Sequence, residues 1–207
     1  MKIVAYSDAH WYFDKVSVPK GDVLIYAGDW CSGDGFKNTI AFARKLSEFK
    51  HKYKIVVAGN HDLIAQQNPA LVRNIFQESG VIYLQDEGIK IKGINFYGSP
   101  WTPQFNNWAF MKEDSQLKHY WRKIPNYTNV LITHGPAYGI LDRVPNVGSV
   151  GSMSLEEAIM KKKPMIHICG HIHSGYGIME SEHTYFYNVS VCNDSYDVVN
   201  KPMEIVL

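Results

Sequence analysis

The sequence predicts a mixed α/β fold in a single domain spanning residues 1–207. Two observations carry that prediction. Short apolar runs rich in β-branched residues alternate with stretches of helical apolar spacing, and strand-like pieces joined by polar turns fill residues 81–99 and the C-terminal third. The length suffices to bury one substantial core and is short for two.

Residues 3–6, 23–27, 55–58, 130–133 and 165–169 are compact β-rich runs, each closed by Gly, Asp, Ser or His. Helical spacing appears at Ile40, Phe42, Ala43, Leu46 and Phe49, then at Leu71, Val72, Ile75 and Phe76, then at Leu117, Tyr120, Trp121 and Ile124. Ser154-Leu155-Glu156-Glu157 resembles a helix N-terminus with acids in its first turn. A helix is therefore expected to start near Ser152 or Ser154 and to stop at Pro164. Turn signals at Asp86-Glu87-Gly88 and Lys92-Gly93 make residues 81–99 read as a meander of hairpins. Residues 176–180, 184–189 and 203–207 carry strand composition as well. The expected picture is an α/β core with a second, more antiparallel sheet behind it, and no linker or repeat.

Composition narrows the function. Hydrophobic content of 45% with 20% charge is ordinary globular composition, and a net charge of +1 supplies no field for polymeric nucleic acid or anionic membrane. The basic stretches Lys50-His51-Lys52-Tyr53-Lys54 and Lys161-Lys162-Lys163 abut helix ends, where cations meet the negative end of the helix dipole. Cys31, Cys169 and Cys192 have no CxxC spacing, so neither a disulfide framework nor a zinc knuckle is indicated. The N-terminus reaches Asp8 before a signal-peptide core forms, and no apolar stretch approaches the ~20 residues that cross a bilayer. A cytoplasmic protein without an evident protein partner is expected.

The chemistry lies in five fragments that each follow a predicted strand: Asp8-Ala9-His10, Gly28-Asp29, Gly59-Asn60-His61-Asp62, Thr133-His134-Gly135 and Gly170-His171-Ile172-His173. Strand ends of this kind converge on one edge of a sheet. Carboxylate, amide oxygen and imidazole without thiolate suit two ions of Mn, Fe or Zn beside a phosphate. Asp8 and His10, two residues apart, share one face and reach one ion. Asp29 follows a glycine that lets the chain turn, and its two oxygens can bridge metals ~3.5–4 Å apart. Asn60 offers a neutral oxygen, and His134, His171 and His173 offer imidazoles.

These fragments, in this order, resemble the five motifs of the calcineurin-like metallophosphoesterase superfamily. Asp22-Val-Leu-Ile-Tyr-Ala-Gly-Asp, Ile55-Val-Val-Ala-Gly-Asn-His-Asp, Tyr97-Gly-Ser-Pro-Trp-Thr-Pro with Trp108-Ala-Phe, Ile132-Thr-His-Gly-Pro, and Gly170-His-Ile-His with Gly175-Tyr-Gly are similar to its metallophosphoesterase-domain-containing branch. The resemblance implies a four-layer α/β/β/α sandwich and hydrolysis of phosphodiesters, cyclic nucleotides included, with two divalent ions, Mn²⁺ foremost. It implies that Asp8, His10 and His173 hold one ion, that Asn60, His134 and His171 hold the other, and that Asp29 lies between. His61 would stay off the metals and face the phosphate. Two such ions neutralise phosphoryl oxygens and lower the pKa of a shared water, so a metal-bridging hydroxide is the expected nucleophile. The leaving alkoxide then needs a proton, which His61 is placed to give.

The group that orients His61 has several candidates. Protein phosphatases of the superfamily carry Asp three residues after the bridging Asp, where this chain has Ser32. Asp34 or Asp62 is a substitute, and Asp62 equally reads as the cap of a helix starting at Leu63.

Substrate size and charge are read from the surroundings. The superfamily's protein phosphatases resemble Gly-Asp-x-x-Asp-Arg-Gly here, whereas this chain reads Gly28-Asp-Trp-Cys-Ser-Gly-Asp34 without arginine. Of four arginines, Arg44, Arg73 and Arg122 fall in predicted helices, which leaves Arg143 as a phosphate contact or a surface ion pair. A site poor in guanidinium suits a monoanionic diester. Trp101 and Phe105 read as base-stacking candidates or core cover, with Trp108 and Phe110 leaning to cover. His167 reads as core or as support for a ligand, and His51, His119 and His183 as surface. The alternatives are a nuclease on longer DNA or RNA, which would want a basic groove, a general phosphomonoesterase, and a non-catalytic metal-binding scaffold.

Overall fold

The apolar runs form strands whose C-terminal ends point to one edge. The structure, a computed structural model, describes residues 1–31 and 35–207. In chain order the elements are β1 (Lys2–Tyr6), β2 (Val23–Ala27), α1 (Gly35–Glu48), β3 (Tyr53–Val57), α2 (Leu63–Gln67), α3 (Pro69–Glu78), β4 (Ile82–Leu84), β5 (Glu87–Ile91), β6 (Ile94–Ser99), β7 (Thr102–Pro103) and β8 (Met111–Lys112). They continue with α4 (Asp114–Arg122), β9 (Val130–Thr133), β10 (Arg143–Val144), β11 (Gly148–Ser149), α5 (Met153–Lys162), β12 (Ile166–Cys169), β13 (Gly177–Glu180), β14 (Tyr185–Asn188) and β15 (Met203–Val206).

Two sheets face each other. The first runs β15-β1-β2-β3-β4, parallel except for β15; the second runs β13-β14-β12-β9-β6-β5. In the second, β6, β9, β12 and β14 are parallel and only the outer hairpins are antiparallel. The second sheet carries two antiparallel pairings against one in the first, so it is the more antiparallel of the two, although its centre is parallel. Residues 81–99 are not one meander: β4 pairs with β3 in the first sheet, and the chain then crosses to start the β5–β6 hairpin of the second.

Side-chain alternation explains the layering. Ile3, Ala5, Val23, Ile25, Ile55 and Val57 meet Phe96, Val130, Ile132, Ile166 and Ile168 between the sheets. Their neighbours Val4, Tyr6, Leu24, Tyr26 and Val56 turn outward and share a cluster with Phe42, Leu46 and Phe76 of α1 and α3. On the other sheet, Leu131 and Phe186 join Leu117, Trp121, Leu155 and Ile159 of α4 and α5. Strands apolar on both faces are those of a sheet covered on both sides, and the result is the α/β/β/α sandwich. The α5 helix starts as expected, with Ser152 Oγ accepting from Leu155 N–H at 3.0 Å, and ends at Lys163 in a left-handed conformation before Pro164. His51, expected at the surface, is buried beside Phe49 and Gly21.

Candidate metal centre

The loops after β1, β2, β3, β9 and β12 carry the five fragments to the shared edge, the position at which open α/β sheets build sites. Asp8, His10 and His173 present ligand atoms within 4.8 Å of one another, and so do Asp29, His134 and His171. His10, Asp29 and His61 form a third such set, so Asp29 belongs to the sets on both sides. Asn60 Oδ1 lies 2.8 Å from His134 Nε2. All eight candidate residues therefore meet.

Backbone geometry is bent to achieve this. Asp8, His10, Asp29 and His171 have φ of +55°, +46°, +65° and +68°. Side chains in that left-handed region cost roughly 1–3 kcal/mol each, a strain that concentrates at functional sites. Neighbouring groups hold the turns. Tyr26 OH accepts from Ala9 N–H at 3.0 Å and donates to the Asp29 carbonyl at 2.8 Å, tying the first loop to the second. A Cβ at Gly59 would collide with the Asp29 carboxylate and the His134 ring, which explains the glycine before Asn60.

The carboxylates sit among donors. Asp8 accepts from Ser190 Oγ at 2.6 Å, from Ser7 Oγ, and from His171 N–H at 3.0 Å. Asp29 accepts from His61 N–H at 2.8 Å and faces His134 Nε2 at 3.3 Å. Burial alone would raise both acids, but hydrogen bonds and the charges of His134 and His173 outweigh it for Asp8, and those of His134, His61 and His10 for Asp29. Both carboxyls are held well below the usual range. The histidines respond in kind: burial opposes the charge of His134 and His173, yet Asp29 and Asp8 push each up to about 9. Each Nδ1 points at a carbonyl, His134 at Ala27 (2.8 Å) and His173 at Asn193 (2.9 Å), which leaves each Nε2 facing the cluster. His171, partly buried, is depressed to about 3 by desolvation and by the neighbouring His134 charge.

This set fits a pair of divalent ions. Its donors are oxygen and imidazole nitrogen, and both ring nitrogens of His10 are buried with no hydrogen-bond partner, a costly state that a ligand relieves. Without metal, protons on His134 and His173 balance the two carboxylates. Metal must displace those protons, so affinity should rise with pH through neutrality and level off above about 9. Calorimetry of Mn²⁺ binding at neutral pH, in buffers of different ionisation enthalpy, should register about two protons released per chain. Metal affinity independent of pH over that range would contradict the arrangement.

Asp62 has a role that neither reading of it anticipated. Oδ2 accepts from Asp29 N–H (2.8 Å) and Gly59 N–H (2.7 Å), and Oδ1 from Trp30 N–H (3.1 Å) and Cys31 N–H (2.9 Å). It makes no cap hydrogen bond to α2 and staples the second loop to the third. Burial and the Asp29 charge push it up to about 7 against those donors. Asp34 and Ser32 lie outside the described residues. His61 is held by rings instead, 4.6 Å from Trp108 and 4.8 Å from His10 between centroids.

A cleft of about 200 Å³ opens over this edge. Phe105 and Trp108 wall one part of it, and Val144, Ser174, Asp194 and Tyr196 line it as well. Trp101 is not there: it is buried, donates from Nε1 to Asp86 at 2.9 Å and stacks on Tyr120 at 4.0 Å. The β7–β8 pairing places Trp101 and Phe110 at the buried base of a loop and Phe105 and Trp108 toward its exposed tip, so the cleft aromatics are Phe105 and Trp108. Arg143 is exposed on β10, and the cleft is lined by its neighbour Val144. His167 is core, its Nε2 2.7 Å from Thr133 Oγ1. His119 and His183 are exposed. Tyr196, Asp194 and Ser174 escaped sequence reasoning; Asn193-Asp-Ser-Tyr-Asp197 signals only a turn.

Comparison with known proteins covers the same residues. Residues 1–175 match the model of the calcineurin-like phosphoesterase family. The human metallophosphoesterase domain-containing protein 1 is 35% identical over 230 residues, covering 100% of this chain and 71% of that protein. The Caenorhabditis elegans UPF0046 protein K07C11.7 is 35% identical over 98% of this chain and 74% of its own. The crystal structure of TT1561 of Thermus thermophilus superposes with a TM-score of 0.66 at 13% identity, over 90% of this chain and 88% of that one. The 5′-nucleotidase of Candida albicans gives 0.55 at 14%, over 90% and 44%. The two structures share the fold.

Proposed function

Because the chain belongs to the calcineurin-like phosphoesterase family, we propose that it is a two-metal phosphodiesterase acting on small nucleotide diesters, cyclic nucleotides among them. The observation that carries this reading is the pair of neighbouring donor triads, Asp8–His10–His173 and Asp29–His134–His171, with His61 beside them in an aromatic-walled cleft. Asp8, His10 and His173 would hold one ion and Asn60, His134 and His171 the other, with the Asp29 carboxylate between. Mn²⁺ suits the donors, as do Fe and Zn. Such ions supply charge neutralisation at the phosphoryl oxygens and an acidified water.

The remaining steps belong to side chains. His61, with its amide tied to Asp29 and its imidazole partly exposed in the cleft, gives a proton to the leaving oxygen. Phe105 and Trp108 offer faces on which a base stacks. Among the described residues no lysine or arginine lines the cleft, and Asp194 adds negative charge, which favours a monoanionic diester over a dianionic monoester and over a polymer. Among the described residues no helix is long and apolar enough to cross a membrane. Three buried, free thiols fit a reducing compartment such as the cytoplasm.

The test is a Mn²⁺-supplemented hydrolysis panel of a chromogenic diester, the matching monoester, 2′,3′- and 3′,5′-cyclic nucleotides and short RNA. Turnover of the diester and of a cyclic nucleotide, with little dependence on salt, is expected. RNA cleavage that exceeds both and collapses as salt rises would favour a nuclease; no turnover of any member would leave a metal-binding scaffold.

A further inference from the structure

The cleft has a neutral donor that no assignment above uses. Tyr196 stands at the tip of a loop after β14, with its ring centroid 4.8 Å from His10, 5.4 Å from His173 and 6.4 Å from His61. His61 thus has Trp108 and Tyr196 as ring neighbours, and all three line the cleft. The loop is stiffened by one residue. Asn193 Oδ1 accepts from Ser195 N–H (3.0 Å) and Asp197 N–H (2.9 Å), and its N–H donates to the Asp197 carbonyl at 2.9 Å. The Asn193 carbonyl also receives Nδ1–H of His173, so one residue anchors both a candidate metal ligand and the tyrosine. Tyr196 itself is held at φ +64°, a conformation unfavourable for an aromatic residue without a reason to be there.

We propose that Tyr196 seats the phosphoryl group, its phenolic O–H donating to a non-bridging oxygen beside the His10–His173 metal position and His61. The inference rests on the phosphoesterase reading above. A phenol remains a donor across neutral pH without bringing positive charge. It gives one hydrogen bond where a guanidinium would add charge as well, and that neutrality matches a monoanionic diester. No proton leaves the phenol: it donates the hydrogen bond and keeps the atom.

Tyr196→Phe keeps the ring against His10 and removes only the hydroxyl, and the residue is exposed enough for the variant to fold. Two measurements on Mn²⁺-loaded protein test the role: affinity for inorganic phosphate by calorimetry, and steady-state hydrolysis of a chromogenic diester. Phosphate affinity should fall by about 10- to 100-fold, the value of one hydrogen bond to a charged group, with metal content unchanged. Diester kcat/KM should fall by a similar factor. Equal phosphate affinity in wild type and Tyr196→Phe, or no phosphate binding by the wild type, overturns the assignment. Absence of diester turnover in the wild type refutes the diesterase reading by itself, and the phosphate measurement still decides on Tyr196.

Discussion

Asp29→Asn is expected to abolish turnover and to reduce metal content from two ions per chain to one or none. The carboxylate is buried and belongs to donor sets on both sides of the cluster. Its charge also holds His134 and His10 toward it, and one oxygen anchors the His61 amide at 2.8 Å. Asparagine keeps the volume and removes the charge that two adjacent divalent ions require. The loss should exceed the roughly 10²–10³-fold that deleting one hydrogen-bond donor costs an enzyme, because the charge and the second ligating oxygen are lost together, while the remaining amide oxygen still accepts from His61 N–H. Elemental analysis beside activity separates the effects. Full dinuclear occupancy in Asp29→Asn, or one metal per chain in saturated wild type, would contradict a bridging role.

His61→Ala is expected to behave in the opposite way, with both metals retained while turnover falls by about 10²–10⁴, the range for a lost general acid. Its ring contacts Trp108 and His10, and the side chain is about a quarter exposed, so its removal leaves the two donor triads in place. The deficit should shrink with leaving groups that are already acidic, such as nitrophenolate, and be largest for an alkoxide. An equal deficit for both would mean that His61 orients the phosphate and that its proton is not the one transferred.

The strands and the donor set were legible because each is local. Val23–Ala27 and Val130–Thr133 are β-branched runs that end in Gly28-Asp29 and His134-Gly135, and their parallel register follows from apolar side chains on both faces. What was not legible depends on chain returning from a distance. The loop 101–110 has no period, so nothing local tells Trp101, buried on Asp86, from Trp108, exposed on His61. Asp62 looks like a cap because its sequence neighbours begin a helix, yet its four partners belong to loops after β2 and β3. Tyr196 is placed by Asn193 bonding back to His173, 20 residues earlier. The move of β4 into the first sheet is of the same kind, since the Ile55–Ile82 pairing is non-local.

The central claim is that the site is matched to a singly charged phosphodiester. The direct measurement is kcat/KM for bis(p-nitrophenyl) phosphate against p-nitrophenyl phosphate, with Mn²⁺-saturated protein at neutral pH. On the proposed reading, a two-metal site in a cleft without lysine or arginine among the described residues favours the diester, by about tenfold or more, equivalent to ~1.4 kcal/mol of transition-state stabilisation. Equal values, or a preference for the monoester, would contradict the account and make the protein a general phosphomonoesterase.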